Sequence, residues 1–89
     1  MIFSKSVSVI IPAQNEAETI GAVITEAKKL SPFEIIVVVN GSTDDTAERC
    51  RALGCQVLQF SHALGNDVGR AVGAYYAGGD ILLFLDGDI

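Results

Sequence analysis

The 89-residue sequence is poor in several features that would point to a function at once. Cysteine is limited to Cys50 and Cys55. Two thiols make no disulfide framework, and their spacing is not the paired CxxC of a zinc site, so they read as reduced, small apolar side chains beside the core. Positive charge is scarce: six Lys and Arg stand against eleven Asp and Glu, a formal net charge of -5. With no basic stripe to follow a phosphate backbone, general nucleic-acid binding is disfavoured, although an acidic domain can still hold a nucleotide through local groups and a metal ion. No apolar run approaches the roughly 20 residues that cross a bilayer, and the start MIFSKSVSVIIPAQ is too short and too poorly flanked for a signal peptide. The expected location is therefore cytoplasmic. GxGxxG is missing from the turn after the first apolar run, and GxxxxGK[ST] occurs nowhere, so hydride transfer on a dinucleotide and ATP hydrolysis lose support.

What remains is a composition of 49% hydrophobic and 19% charged residues, which fits one small folded domain rather than a disordered chain. Four short apolar runs, at residues 7–11, 35–39, 56–60 and 81–85, dominate the sequence. The first, second and fourth are nearly continuous in Val, Ile, Leu and Phe, as parallel strands covered on both faces require. Between them lie three stripes at helical spacing: Ile20, Val23, Ile24, Ala27 and Leu30; then Ala47, Cys50 and Leu53; then Val68, Ala71, Val72 and Tyr75. Asn15 with Glu18 resembles a capping box for the first helix, and Ser42 with Asp45 a similar cap for the second. Ser31 and Pro32 stop the first helix, while Gly54 and the pair Gly78 and Gly79 suit helix ends. The order βαβαβαβ predicts an α/β, Rossmann-like half-sheet with right-handed crossovers and strand order 3-2-1-4.

In such a sheet ligands bind beyond the carboxyl ends of the strands. Those ends carry Pro12-Ala13-Gln14-Asn15-Glu16, Asn40-Gly41-Ser42 and Asp86-Gly87-Asp88, on one rim. Asp86 and Asp88 are two apart, so in extended backbone both carboxylates point to the same face, and Gly87 allows a turn and close approach of a ligand. Hard oxygen donors of this kind suit Mg²⁺ or Mn²⁺ completed by water and substrate phosphate, which predicts a metal-bridged diphosphate.

The run SVIIPAQNEAETI, then EIIVVVNGSTDDT, then GRAVGAYYAGGDILLFLDGD resembles the family 2 glycosyltransferases, inverting enzymes of the GT-A fold that use nucleotide-diphosphate sugars. The likeness covers essentially the whole chain in the family's order and spacing. It implies that Pro12, Ala13, Gln14 and Glu16 line the base and ribose, and that Asn40 faces the nucleoside. It further implies that Gly69 and Arg70 approach the nucleotide, with Arg70 against a phosphate. It implies, too, that Asp88 is the direct metal ligand of the pair and that Asp86 is placed to contact ribose or metal-bound water. Val39-Asn40 stands where many members have Asp-Asp, and Gln14 replaces an aromatic residue that some members stack on uracil. The donor base, UDP or GDP, stays open.

The other polar residues have plainer readings. Glu16 also suits the positive end of the first helix; Asp44 and Asp45 read as helix-end charges, Asp67 as a cap of the third helix and Asp80 as part of a turn. His62 reads as a solvated loop residue, and Tyr75 and Tyr76 as packing and surface. Residues 1–89 are expected to be the donor-binding part of a longer glycosyltransferase domain, cut after the acidic pair. The family's catalytic base would lie beyond Ile89, so no catalytic residue is assigned and the chain alone is expected to be inactive. An alternative is a non-catalytic nucleotide-binding module, or an oligomerisation module that pairs through the open edge strand. A sugar-phosphate nucleotidyltransferase is disfavoured, because PAQNEAE has no Lys or Arg for a basic phosphate loop.

Overall fold

The computed structural model describes residues 5–87, without the side chain of Asn66. Its elements are β1 (Val7–Ala13), α1 (Ile20–Lys28), β2 (Glu34–Asn40), α2 (Thr46–Ala52), β3 (Gln56–Phe60), α3 (Asn66–Tyr76) and β4 (Ile81–Phe84). All strand pairs are parallel, and the order is β3-β2-β1-β4, as the sequence predicts.

The continuous apolar runs of β1 and β2 follow from burial on both faces, whereas the fourth run, expected to be covered likewise, forms the edge strand β4 with Ile81, Leu82 and Phe84 exposed. Val9, Ile11 and Ala13 of β1 join Ile35, Val37 and Val39 of β2 in one core with Ile20, Val23, Ile24 and Ala27 of α1 and Ala47 and Cys50 of α2. The alternate residues face α3, where Ile10 and Val38 lie against Gly73. Burial pushes the Cys50 thiol up to about 11 and raises Cys55 as well. Neither supplies thiolate near neutral pH, so both are packing residues.

Two expectations fail here. Leu30 does not complete the stripe of α1, because the helix ends at Lys28 and Leu30 is left exposed in the following turn. The apolar stripe predicted for α3 is also turned the wrong way: Val68, Ala71 and Tyr75 are exposed, and the buried face is Gly69 and Gly73. These glycines, four apart, let the helix axis come close to β1 and β2, and the larger apolar side chains are left on the outer side. Tyr75 and Tyr76 form an edge-to-face pair at 5.1 Å on that surface. Ile81, Leu82 and Phe84 of the edge strand are exposed as well, as expected for an open edge.

The predicted caps are not used. Neither α1 nor α2 has a side-chain cap; Asn15 and Ser42 bond to each other's loops instead. Gly65 rather than Asp67 precedes α3, and Asp67 pairs with Arg70. The stops fare better. Ser31 has φ 50°, and Gly54, at φ 84°, donates to the Arg51 carbonyl and ends α2. Gly78 and Gly79 follow α3, where their N–H groups bond to Glu34 Oε2 at 2.6 Å and Ser8 Oγ at 2.8 Å. Asp80 accepts from the backbone and hydroxyl of Ser6, which fastens the turn into β4 as its turn reading implies.

Candidate functional site

The chain leaves β1 toward β2 on one side and meets β4 on the other, so the crevice of the sheet opens beside the carboxyl end of β1. Pro12 pairs in register with Val38, and Leu85 N–H donates to the Ile10 carbonyl at 3.0 Å, which delivers Asp86 to the same rim as Pro12. From the far side α3 brings Gly69 into the gap. A Cβ at this position would lie 2.8 Å from Asn40 Nδ2 and 3.2 Å from Pro12 Cβ. Pro12, Asn40 and Gly69 therefore meet, and only a glycine fits between the other two.

Arg70, the next residue, spans from Asp67 Oδ1 at 3.3 Å to Asp86 Oδ1 at 3.5 Å. Asp86 is well exposed, so this pair is held loosely and contributes little to stability. The Arg70 guanidinium is within reach of an anion placed beside Asp86. Glu16 accepts from Gln14 N–H at 3.0 Å, and its carboxylate lies over Gly87, where an added Cβ would be 2.8 Å from Oε2. Gln14 is exposed at the mouth. Ala13 is different: its side chain belongs to the core beneath α1 and α2, so only its backbone faces the rim. Asn40 is 2% exposed; its Nδ2 donates weakly to the Gly65 carbonyl at 3.4 Å, and its Oδ1 has no partner among the described residues. Asp88 lies outside the described residues.

The donor set at this rim is made of oxygen. Asp86 follows β4 at this rim and the Glu16 carboxylate lies over the next residue, Gly87; these oxygen donors suit a hard divalent cation. Among the described residues no group of three or more His, Cys, Asp or Glu is gathered for a metal, so the remaining ligands would come from Asp88, water and the bound phosphate.

Sequence reasoning missed the bracing of the rim. Three successive N–H groups, of Asn15, Glu16 and Ala17, donate to Ser42 Oγ at 2.9 Å, Thr46 Oγ1 at 3.1 Å and Asp44 Oδ2 at 3.2 Å. Asn15 Oδ1 accepts in return from Thr43 N–H at 2.7 Å, and Arg49 Nη1 donates to the Ala17 carbonyl at 3.1 Å. Asp44, which also accepts from the Thr46 N–H at the start of α2 as a helix-end charge does, is thus in addition a link between loops, and Asp45 pairs with Arg49 one turn along α2. The signal was visible in the run of short oxygen-bearing side chains in NGSTDDT, which favour side-chain bonds to nearby backbone. The Thr46 hydroxyl, and then the N–H groups of Thr46 and Ala17, hold the Asp44 carboxyl below its ordinary 3.8. A group with a lowered folded pKa contributes stability above its unfolded value and loses it as pH falls through the folded one. Thermal melts are therefore expected to show a loss of stability on acidification below about pH 3.8 that Asp44→Asn reduces. An unchanged pH profile in that variant would exclude the link.

With the geometry in place, the chain can be set beside known proteins. Residues 8–89 match the profile of glycosyl transferase family 2. Glucosyl-3-phosphoglycerate synthase of Mycolicibacterium smegmatis is 37% identical over 97 residues, which take in 96% of this chain and 31% of the synthase. Glycosyltransferase AglE of Haloferax volcanii is 40% identical over 91 residues, 92% of this chain and 30% of AglE. Among solved structures, glucosyl-3-phosphoglycerate synthase from Mycobacterium tuberculosis in complex with Mn²⁺, UDP and glucosyl-3-phosphoglycerate superposes with a TM-score of 0.75 at 36% identity, covering 96% of this chain and 34% of that one. A complex of the same synthase with Mg²⁺ and UDP also scores 0.75. The chain spans about a third of the length of these relatives. Among the described residues no helix is long and apolar enough to cross a membrane.

Proposed function

The chain belongs to glycosyl transferase family 2, and from that premise we propose that it is the donor-binding part of an inverting, metal-dependent glycosyltransferase that takes a nucleotide-diphosphate sugar. The observation that carries the reading is the meeting of Pro12, Asn40 and Gly69 at the rim that also bears Arg70 and Asp86. Pro12, the Ala13 backbone, Gln14, Glu16 and Asn40 surround the nucleoside. Gly69 lets α3 approach the nucleotide, and Arg70 turns from Asp86 to a phosphate oxygen. Asp86 and Asp88 hold Mg²⁺ or Mn²⁺, which supplies positive charge to the departing diphosphate. The UDP bound in the mycobacterial synthase favours UDP over GDP.

Inverting transfer is a single displacement in which a general base takes the proton from the acceptor hydroxyl. The described groups of this rim are assigned to the donor and the leaving group, and none of them to that role. The chain by itself is therefore inactive in sugar transfer, and residues 1–89 act as a donor-binding unit of a larger domain. A second reading, a module that associates through its edge, is favoured by the exposure of Ile81, Leu82 and Phe84 on β4.

Titration separates the two. Calorimetry is expected to show UDP binding when Mn²⁺ or Mg²⁺ is present and little without it, with GDP weaker. Failure of every nucleoside diphosphate to bind, together with elution that depends on protein concentration, would overturn the first reading in favour of the second.

A further inference from the structure

The rim is held in a way that joins its two ends. Residues 42–46 fix the backbone of residues 15–17 through three consecutive N–H groups, each on a different side chain. Asn15 sits at φ 52°, a left-handed conformation that a non-glycine residue keeps only where its surroundings enforce it. The enforcing contacts come from Ser42 and Thr43. The braced segment then reaches the other end of the site: Thr19 Oγ1 donates to the Gly87 carbonyl at 2.8 Å, and the Glu16 carboxylate closes over the Gly87 Cα. Gly87 is the residue between Asp86 and Asp88, and it is buried.

We propose that Asp44 and Thr46 are positioning residues for donor binding, which touch neither nucleotide nor metal but set, through residues 15–19 and Gly87, where Asp86 stands. Thr46 is the keystone. It is fully buried, its hydroxyl accepts from Glu16 N–H, and it donates to the Asp44 carboxylate, which in turn accepts from Ala17 N–H. The same bonds occupy N–H groups that, left open around a left-handed residue, would themselves form an anion-binding concavity. The diphosphate is thereby directed to Arg70 and Asp86.

The inference rests on the donor-binding reading, and the test separates the two. Affinity for UDP with Mn²⁺ and amide hydrogen exchange at residues 15–19 and 87 are measured in the wild-type chain and in Thr46→Val, Thr46→Ser and Asp44→Ala. Thr46→Val is expected to weaken binding about tenfold, the scale of one lost hydrogen bond, and to speed exchange at Glu16, Ala17 and Gly87. Thr46→Ser, which keeps the hydroxyl, restores both. Asp44→Ala removes an exposed carboxylate and gives the same direction of change if Thr46→Val does not fold. Faster exchange with affinity within twofold of wild type would overturn the proposal, as would a Thr46→Ser as weak as Thr46→Val. Wild-type chain that binds no UDP with Mn²⁺ would instead remove the donor-binding reading, and the positioning role with it, whatever the exchange shows.

Discussion

Alanine at Asp86 or Asp88 is expected to abolish the metal-dependent rise in melting temperature that UDP produces. A ligand bound to the folded state alone stabilises it by about 2.7 kcal/mol at a hundred times its Kd, and in a domain of this size each kcal/mol moves the melting point by about 4–8 °C. The wild-type shift is thus on the order of 10 °C, and the variants are expected to show almost none of it. The unliganded stability of Asp86→Ala should hardly change, because the side chain of Asp86 is 61% exposed and its contact with Arg70 is a 3.5 Å surface pair. That combination is what distinguishes a ligand-binding carboxylate from a structural one. Arg70→Ala serves as the comparison: it removes the same surface pair but leaves the oxygen ligands, so part of the shift should survive. A full metal-dependent shift in both aspartate variants would place the cation elsewhere.

The parts of this molecule that were legible in its sequence are those with a single dominant cause. Runs such as VSVII and IIVVV can be buried on both faces only in a helix-covered parallel sheet, and that fixed the strands and their order. Pro12, Asn40 and Asp86 lie at strand ends, so the rim followed from the topology. The caps failed for the opposite reason. Asn15 with Glu18 has the local spacing of a capping box, yet the side chain of Asn15 serves a loop 28 residues away, through Thr43, and local pattern carries no trace of that competition. Asp44 does sit at the end of α2, but its second bond, to Ala17, was hidden for the same reason. The face of α3 failed because periodicity weighs apolar bulk, whereas this helix packs with the residues that have none. Asp88, which the family resemblance implies as the direct metal ligand, is outside the described residues.

The packing of α3 gives the largest expected change in stability. A Cβ at Gly73 would run into Ile10 Cγ2 and come within 3.4 Å of Val38 Cγ2, both on side chains with no exposed surface in the middle of the sheet. Neither can swing away, so the helix must lift or the strands must shift. Overpacking of this kind costs about 1–3 kcal/mol for one methyl, and the better helix propensity of alanine returns only about 0.5–1. Gly73→Ala is therefore expected to lower stability by about 1–2 kcal/mol and Gly73→Val by about 3 or more, a large share of the margin of a small domain. Gly21→Ala supplies the opposite sign. That glycine lies in α1 with nothing within 4 Å of its added methyl, so the substitution is expected to stabilise by about 0.5–1 kcal/mol. Urea melts of the three variants read all of this. If Gly73→Ala proved as stable as Gly21→Ala, α3 would not sit on β1 through its glycines. The approach of Gly69 to Pro12 and Asn40, which shapes the nucleoside end of the rim, would then lose its structural cause.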